Sequence, residues 1–368
     1  MKNETLYFFI FLTIVLLIIK SCKYSMEVID LKINRGKRIK WYQCKQDNGF
    51  KIFKKAMSNN KINKTNKNDW DIILPCKHKY DKNALDQIKI NDSSQIISIV
   101  SQSGILGSKK TLWITLYNFY GRNIAQNIMP PSYIFPKDIQ EFKKNYKKGQ
   151  YYILKQEKQR QTGLKLSNSY NEIVNSWKDS YVVAQKYLNN CLTYKGYKIN
   201  LRIYLVYICK GTNKMAYIFN DGIVSYAKIK PKNNNIDSQS GISSFYSSKD
   251  LYDQGYPITI KKIVDQYNVP KWNNMMKSIE NKLYLMVNAS KDHMCNYAYK
   301  HKNISYQLFG ADFYVDTKFK PTLLEVNIGP GMDPYSDEDK IMRIELHNNI
   351  LSLLGLTNKS HQSMIQIY

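Results

Sequence analysis

The run Ile304–Met332, ISYQLFGADFYVDTKFKPTLLEVNIGPGM, sets the carboxylates of Asp312 and Glu325 and the amide of Asn327 inside apolar, β-rich sequence. ADFYVD and TLLEVN flank a short polar linker ending in Pro321, the pattern of a β-hairpin. Side chains alternate faces along a strand. Asp312, Tyr314 and Asp316 therefore share one face, and Leu323, Glu325 and Asn327 share a face of the second run. A loop over Thr317–Lys320 pairs Asp316 with Pro321 and sets Asp312 directly opposite Glu325. Opposed residues have Cβ atoms about 5 Å apart, where two carboxylates repel unless a cation sits between them or one is protonated. Two carboxylates with an amide oxygen two residues on are hard ligands, suited to a magnesium ion that also holds phosphates. The plain alternative is the solvated, charged face of an ordinary hairpin. The apolar strands, and Gly329-Pro330-Gly331 directly after them, favour the metal.

Cations complete the pattern. Lys155 ends the run YYILK, beside a polar loop that carries Arg160 and Gly163. Gln185 and Lys186 sit in YVVAQKYL, a second buried strand that Leu188 ends. In KINLRIYLVY, Lys198, Asn200, Arg202 and Tyr204 alternate with Ile199, Leu201, Ile203 and Leu205, so the polar set shares one face. Buried strands rarely turn lysines inward unless an anion meets them, because an unpaired buried charge is costly. Taken singly, each lysine reads as a solvated strand edge. The set reads as a cationic cluster facing an anionic one. That is what a metal-bound nucleotide requires: lysine and arginine on the phosphates, and a divalent ion bridging phosphate oxygens to carboxylates.

The elements that must position these residues follow from periodicity and punctuation. Met26 to about Tyr120 looks like a small α/β unit, with a strand at Ile96–Val100 and an apolar helix at Lys110–Tyr120 after Gly107-Ser108-Lys109. Asn59–Asn68 reads as a loop. Met129–Pro136, MPPSYIFP, is punctuated by proline, and a helix starts near Lys137-Asp138. Tyr217–Asn220 and Gly222–Ala227 suggest a further hairpin turning at Asp221-Gly222, and Pro231–Gly255 reads as a mobile loop. Trp272, Met275, Met276, Ile279, Leu283, Met286 and Val287 recur at helical spacing, a core stripe. The last helix puts Asp337, Glu338 and Asp339 in its first turn, where acids suit the helix dipole, and buries Ile341, Ile344, Ile350 and Leu354.

The length of 368 residues suggests about two or three domains, and 43% hydrophobic residues are enough to fill their cores. Lys and Arg number 55 against 29 Asp and Glu, a net +26 that draws polyanions. The lysines are spread along the chain without an arginine block, which argues against nucleic acid. Leu6–Ile19 is apolar but for Thr13, shorter than the roughly 17–25 residues of a spanning helix, and no small-residue cleavage site follows. It reads as a signal anchor, with a cleaved signal as the second reading. Lys20, Lys23 and Lys32 beyond it outweigh Lys2 and Glu4 before it, which would keep the body of the protein in the cytosol. Cys22, Cys44, Cys76, Cys191, Cys209 and Cys295 show neither CxxC nor zinc-ligand spacing and read as reduced thiols.

Together YILK…RQTG, VVAQKYL, GYKINLRIYLV, GADFYVD and LLEVNIGPGM resemble a divergent member of the tubulin–tyrosine ligase family of ATP-grasp ligases, over roughly Ile96–Leu356. MPPSYIFP and the run Gly107–Leu112 fit the family's N-terminal half. The resemblance implies an α/β (α+β) ATP-grasp fold with the nucleotide between two α+β subdomains. An N-terminal anchor (1–25) and a small α/β domain (26–130) would precede a central subdomain (131–190) and a C-terminal one with the magnesium site (191–368). It further implies that Lys155, Arg160 and Gly163 hold the phosphates of ATP, and that Gln185, Lys186 and Leu188 line the adenine pocket. Lys198 would reach nucleotide or substrate and Arg202 the γ-phosphate and acyl phosphate, as the catalytic pair. Asp312, Glu325 and Asn327 would hold Mg2+, and Lys109 would help the N-terminal half face the acceptor. The implied partners are an acidic protein tail, tubulin among the candidates, and a free amino acid. The implied reaction is phosphorylation of a carboxylate by ATP, then displacement of phosphate by an amine.

Some positions depart from the family's pattern. Asn200 stands where the family often has Asp, Ser225 where it usually has Arg, and Gln161 where a glycine is common. These favour a second reading, a non-catalytic ATP-grasp module that binds nucleotide or tubulin. A ligase acting on another acidic protein or a small molecule is a third. A basic, membrane-bound nucleic-acid binder rests on charge alone and would show a steeply salt-dependent affinity for DNA.

Overall fold

Strands rich in Ile, Val, Tyr and Phe form the spine of the protein, as β-branched and aromatic side chains favour. The computed structural model describes residues 38–43, 50–66, 69–74, 85, 88–157, 163–230, 243–244 and 248–368, all within the unit Gly36–Tyr368. The apolar run Leu6–Ile19, Arg160, Gln161 and three of the cysteines (Cys22, Cys44, Cys76) lie outside the described residues. Among the described residues no helix is long and apolar enough to cross a membrane.

In chain order the strands are β1 (Lys40–Gln43), β2 (Asn63–Lys64), β3 (Ile72–Leu74), β4 (Ile96–Ile97), β5 (Ser132–Ile134), β6 (Tyr152–Lys155), β7 (Leu164–Ser167) and β8 (Val183–Lys186). There follow β9 (Thr193–Tyr194), β10 (Tyr197–Lys210), β11 (Asn213–Ala227), β12 (Ser243–Ser244), β13 (Ile304–Val315), β14 (Pro321–Ile328) and β15 (Met364–Gln366). A small antiparallel sheet runs β5-β8-β6-β7. A large mixed sheet runs β12-β11-β10-β13-β4-β3-β1-β2, with β14 also on β13, β15 on β11 and β9 on β10. Strand β13 is the junction. Its start, Ile304 and Ser305, pairs in parallel with β4, while Phe309–Val315 pairs antiparallel with β14. The early strands therefore extend the same sheet that carries the hairpin.

Three long helices brace this sheet: α1 (Thr111–Ile128), α2 (Val269–Ser290) and α3 (Asp337–Leu353). Helix α1 starts just after Gly107-Ser108-Lys109, where the Ser108 hydroxyl accepts the N–H groups of Lys110 and Thr111 at 3.3 and 3.2 Å. It packs on α2, whose stripe of Trp272, Met275, Ile279, Leu283, Met286 and Val287 is buried as the spacing predicts. The small sheet buries one face as an aromatic core of Tyr133, Phe135, Phe142 and Tyr152.

Five local expectations are corrected. Tyr217–Asn220 and Gly222–Ala227 belong to one strand, β11, whose hairpin partner is β10. Asp221-Gly222 is an irregularity within it, because the Asp221 carboxylate accepts the N–H of Gly222 at 2.8 Å and of Lys261 at 3.0 Å. Lys249–Asp253, in the stretch read as a mobile loop, is helical and buries Leu251 and Tyr252, and Asn63–Lys64 pairs with β1. Ile341 is 67% exposed, since α3 turns Met342, Leu346 and the ion pair of Asp339 with Arg343 inward instead. Cys209 and Cys295 form a disulfide joining β10 to the segment before β13, so the reading as thiols fails for that pair.

Candidate active site

The large sheet sets Ile223, Arg202, Asp312 and Glu325 side by side on β11, β10, β13 and β14. Asp312 does oppose Glu325, by a different route from the simple hairpin. Val315, not Asp316, faces Pro321, and a bulge at Leu324 restores the pairing. A bulge adds one residue to one strand and so reverses the alternation of faces. Leu323 therefore pairs with Phe313 and goes to the core, away from Glu325 and Asn327.

The cation that two opposed carboxylates need is Arg202. Its Nε and Nη2 each donate to Asp312 at 2.7 Å, a bidentate pair of the strong kind. Asn327 Nδ2 donates to Asp312 Oδ2 at 3.1 Å and to Glu325 Oε1 at 3.5 Å. Burial lifts the Asp312 carboxyl above its ordinary value and Glu325 adds to the rise, while Arg202 and Asn327 oppose it. Burial works against the charge on Arg202, and Asp312 outweighs it and holds the guanidinium protonated.

The small sheet and the segment before α1 bring further cations to Glu325. Lys155, 7% exposed at the end of β6, has its ammonium pushed down to about 8 by burial; Glu325 opposes the shift and Lys109 adds to it. Lys109 is lowered by burial too, with Glu325 opposing. Gly107 presses so closely on β14 that a methyl there would lie 2.4 Å from Ile328 Cδ1, which fixes the segment carrying Lys109. Lys109, Lys155 and Arg202 thus come within electrostatic reach of one carboxylate from three parts of the fold.

Register sorts the residues of the small sheet. Lys155, Ile153, Val183 and Gln185 share one face, and Gln185 Nε2 donates to Ser132 Oγ at 3.0 Å. Lys186 falls on the other face with Tyr152, so its side chain is turned from Lys155, and its N–H donates to Pro131 O at 2.8 Å. Leu188 lies half-buried just past β8. Gly163 closes the β6–β7 hairpin with φ +79, its carbonyl accepting the N–H of Gln156 at 2.9 Å. A methyl there would stand 2.8 Å from Gln156 Cβ. Gly163→Ala is expected to cost about 1–2 kcal/mol, through left-handed backbone and crowding. A drop of several degrees in melting temperature would show it, and an unchanged melting curve would contradict it.

Lys198 lies buried where the sheets meet. Its ammonium is 3.4 Å from Tyr187 Oη, 4.9 Å over the Tyr187 ring and 5.5 Å over that of Tyr314, and burial lowers its pKa. Sequence reasoning gave these two tyrosines no part. Their spacing held the signal, since Tyr187 follows Gln185 by two and Tyr314 follows Asp312 by two. Asn200, between Lys198 and Arg202 on their face, is buried, and its Oδ1 has no hydrogen-bond partner. Ser225, opposite it, donates to the Asn200 backbone carbonyl at 3.4 Å.

Asp312, Glu325 and Asn327 fit magnesium by donor type, a set of hard oxygens that leaves other positions to water or phosphate. Asp312 keeps lone pairs beside those given to Arg202, and an amide turned over presents its oxygen. The set has only two acids, and among the described residues no cluster of three or more His, Cys, Asp or Glu could hold a metal by itself.

This chain matches the tubulin-tyrosine ligase family over residues 87–363. It belongs to that family. Tubulin polyglutamylase ttll-4 of Caenorhabditis briggsae is 27% identical over 282 residues, covering 68% of this chain and 44% of the relative. Mouse tubulin monoglutamylase TTLL4 is 23% identical over 291 residues, 71% of this chain and 23% of the relative. Human TTLL2, a probable tubulin polyglutamylase, is 26% identical over 271 residues, 66% and 44% of the two chains. The chain spans less than half the length of these curated relatives. Every residue described above, from Lys109 to Asn327, lies inside the stretch matched to the tubulin-tyrosine ligase family.

Proposed function

We propose that this protein is an ADP-forming ligase of ATP-grasp type that joins a free amino acid to a carboxylate of an acidic protein tail. The observation that carries the reading is the meeting of Lys109, Lys155 and Arg202 around Glu325, beside Asp312 and Asn327, between the two sheets. Lys155 holds the phosphates of ATP with Gly163 of the β6–β7 hairpin and with Arg160, three residues before it in sequence. Gln185, the backbone of Lys186, and Leu188 border the adenine. Lys198, set between Tyr187 and Tyr314, reaches nucleotide or substrate. Bound at Asp312, Glu325 and Asn327, magnesium would supply charge neutralisation at the phosphates.

The γ-phosphoryl group passes from ATP to the acceptor carboxylate, giving an acyl phosphate and ADP. The amine of the amino acid then attacks that carbonyl, phosphate leaves, and the amine's proton is released as the amide bond forms. Arg202 is placed to balance charge on the transferred group, the kind of fixed electrostatic help that lowers such barriers most. The glutamylase relatives favour glutamate as the amino acid and tubulin as the acceptor, and a +26 chain suits an acidic tail. The apolar run Leu6–Ile19 would tether the protein to a membrane with its body in the cytosol.

The test is ADP release and amino-acid incorporation by the purified protein with tubulin, each amino acid labelled in turn, beside Glu325→Gln. Glu325 is half-buried, so the variant is expected to fold normally and to lose at least a hundredfold in turnover. Incorporation that persists in the variant contradicts the assigned site. Mg-ATP binding without turnover would favour a nucleotide-binding module, and no Mg-ATP binding would end the ligase reading.

A further inference from the structure

A second charged pair lies beneath the site, and neither binding nor chemistry explains it. Arg343 is 1% exposed and Asp339 is 0% exposed, with Nε and Oδ1 2.6 Å apart on one face of α3. A fully buried ion pair is a poor source of stability, because desolving the two charges offsets most of their attraction, and apolar residues of like size often serve as well. What the pair offers that apolar residues do not is directed hydrogen bonds. Arg343 Nη1 donates to Gly331 O at 2.8 Å. Asp339 Oδ2 accepts the N–H of Tyr335 at 2.9 Å. The two charges therefore grip both ends of the segment that leaves β14 just after Asn327 and enters α3 at the Ser336 cap.

That segment is mostly exposed, with Gly329, Gly331, Asp333 and Pro334 open to solvent, and little apolar burial holds it in place. Its one buried residue is Pro330. A methyl on Gly310 would lie 3.1 Å from Pro330 Cβ, 3.1 Å from Arg202 Cδ and 3.2 Å from Arg202 Nε. Pro330 and the Arg202 side chain therefore lie side by side over the bare backbone of β13. Tyr204, two residues beyond Arg202 on the same face, fills the space below, fully buried and within the field of both arginines.

We infer that the Arg343–Asp339 pair is a positioning clamp, which holds the Gly329–Tyr335 segment over Arg202 and so fixes the guanidinium that the site presents. Its effect on nucleotide rests on the ligase reading above, whereas its grip on the segment does not. The clamp acts on Arg202 at a distance, through the placement of Pro330 beside the Arg202 side chain.

The experiment uses the full chain, Arg343→Lys, and the double variant Arg343→Met/Asp339→Leu, which removes both charges and so avoids an unpaired buried ion. Hydrogen exchange is read by mass spectrometry over residues 328–336, with 203–209 of β10 as the core control, and Mg-ATP affinity is read by calorimetry. The double variant is expected to keep core protection, to exchange at least tenfold faster in 328–336, and to bind Mg-ATP at least tenfold more weakly. Arg343→Lys, which keeps the charge but not the fork that serves Asp339 and Gly331 together, should fall between. Unchanged exchange in 328–336 overturns the clamp. Faster exchange with unchanged Mg-ATP affinity overturns its link to Arg202. Equal loss of protection in core and segment would show a purely structural pair and overturns it as well. If the unaltered chain binds no Mg-ATP, the ligase reading falls, and segment exchange alone decides for or against the grip.

Discussion

Lys155→Met is expected to melt higher than the unaltered protein at pH 7 and to lose Mg-ATP binding by a hundredfold or more. Both effects come from one feature. The ammonium sits 7% exposed, and burial pushes its pKa from 10.5 down to about 8. A shift of that size corresponds to about 3 kcal/mol of folding free energy spent on keeping the group charged, at roughly 1.4 kcal/mol per pKa unit. The folded pKa lies below the unfolded one, so between about pH 8 and 10.5 the folded state binds fewer protons, and stability rises with pH there. Below pH 8 the whole cost is present. Methionine fills the same volume without charge, so the variant's advantage should be largest below pH 8 and fade as pH passes 10. Denaturation of both proteins across pH 6–10, with calorimetric Mg-ATP titrations at pH 7, reads both effects. A variant that melts lower and still binds nucleotide would make Lys155 an ordinary structural lysine. In the unaltered protein, affinity should also weaken above about pH 8, as the free site loses its ammonium; bound phosphates would shift that point upward.

Much of this arrangement is legible in the sequence, for reasons that differ by residue. Two apolar runs and a prolyl linker reveal the hairpin, but they set Asp312 opposite Glu325 only because the one-residue error at Pro321 is offset by the bulge at Leu324. The shared face of Lys198, Asn200 and Arg202 follows from period-two alternation along β10. What the pattern cannot carry is a bulge. Leu324 changes the face of Leu323 without any change in composition, and at Asp221 a side chain stands in for backbone partners and hides a strand irregularity as a turn. Contacts between distant elements are hidden too. No local signal joins Lys109 to Lys155, or pairs Cys209 with Cys295 across 86 residues of sequence. The inward turn of Asp339 and Arg343 defeats the helical pattern in the same manner, because two charged residues on a core face look like solvent positions until each has met the other.

Arg202 binds Asp312 in the closest charged contact of the site, so removing it should have the other large effect. In Arg202→Met, Asp312 and Glu325 stay paired across the hairpin with no guanidinium between them. Breaking a mostly buried pair by removing one member strands the other charge. For groups about one-fifth exposed, a loss of about 2–3 kcal/mol is the expected scale. Turnover should fall about a thousandfold, because the group meant to balance charge on the transferred phosphoryl is gone. The stability loss carries its own signature in pH. Two facing carboxylates raise each other's affinity for a proton, so without the opposing guanidinium the Asp312 pKa, already above its ordinary value, rises further. The folded state then binds more protons, and the variant should regain part of its lost stability as pH falls from 7 to 5. The double variant Arg202→Met/Asp312→Leu removes the stranded charge, and is expected to recover most of the stability at pH 7 and none of the turnover. Urea denaturation of the three proteins at pH 5 and 7, with ADP release measured on each, separates these outcomes. A single variant as stable as the parent at both pH values would mean that Arg202 does not shield the carboxylates, and one that still turns over would mean that it does not serve the reaction. Lost turnover in the single variant, with stability recovered in the double one, would instead place two roles on the same guanidinium: one holds the hairpin's acids together, and the other acts on what they bind.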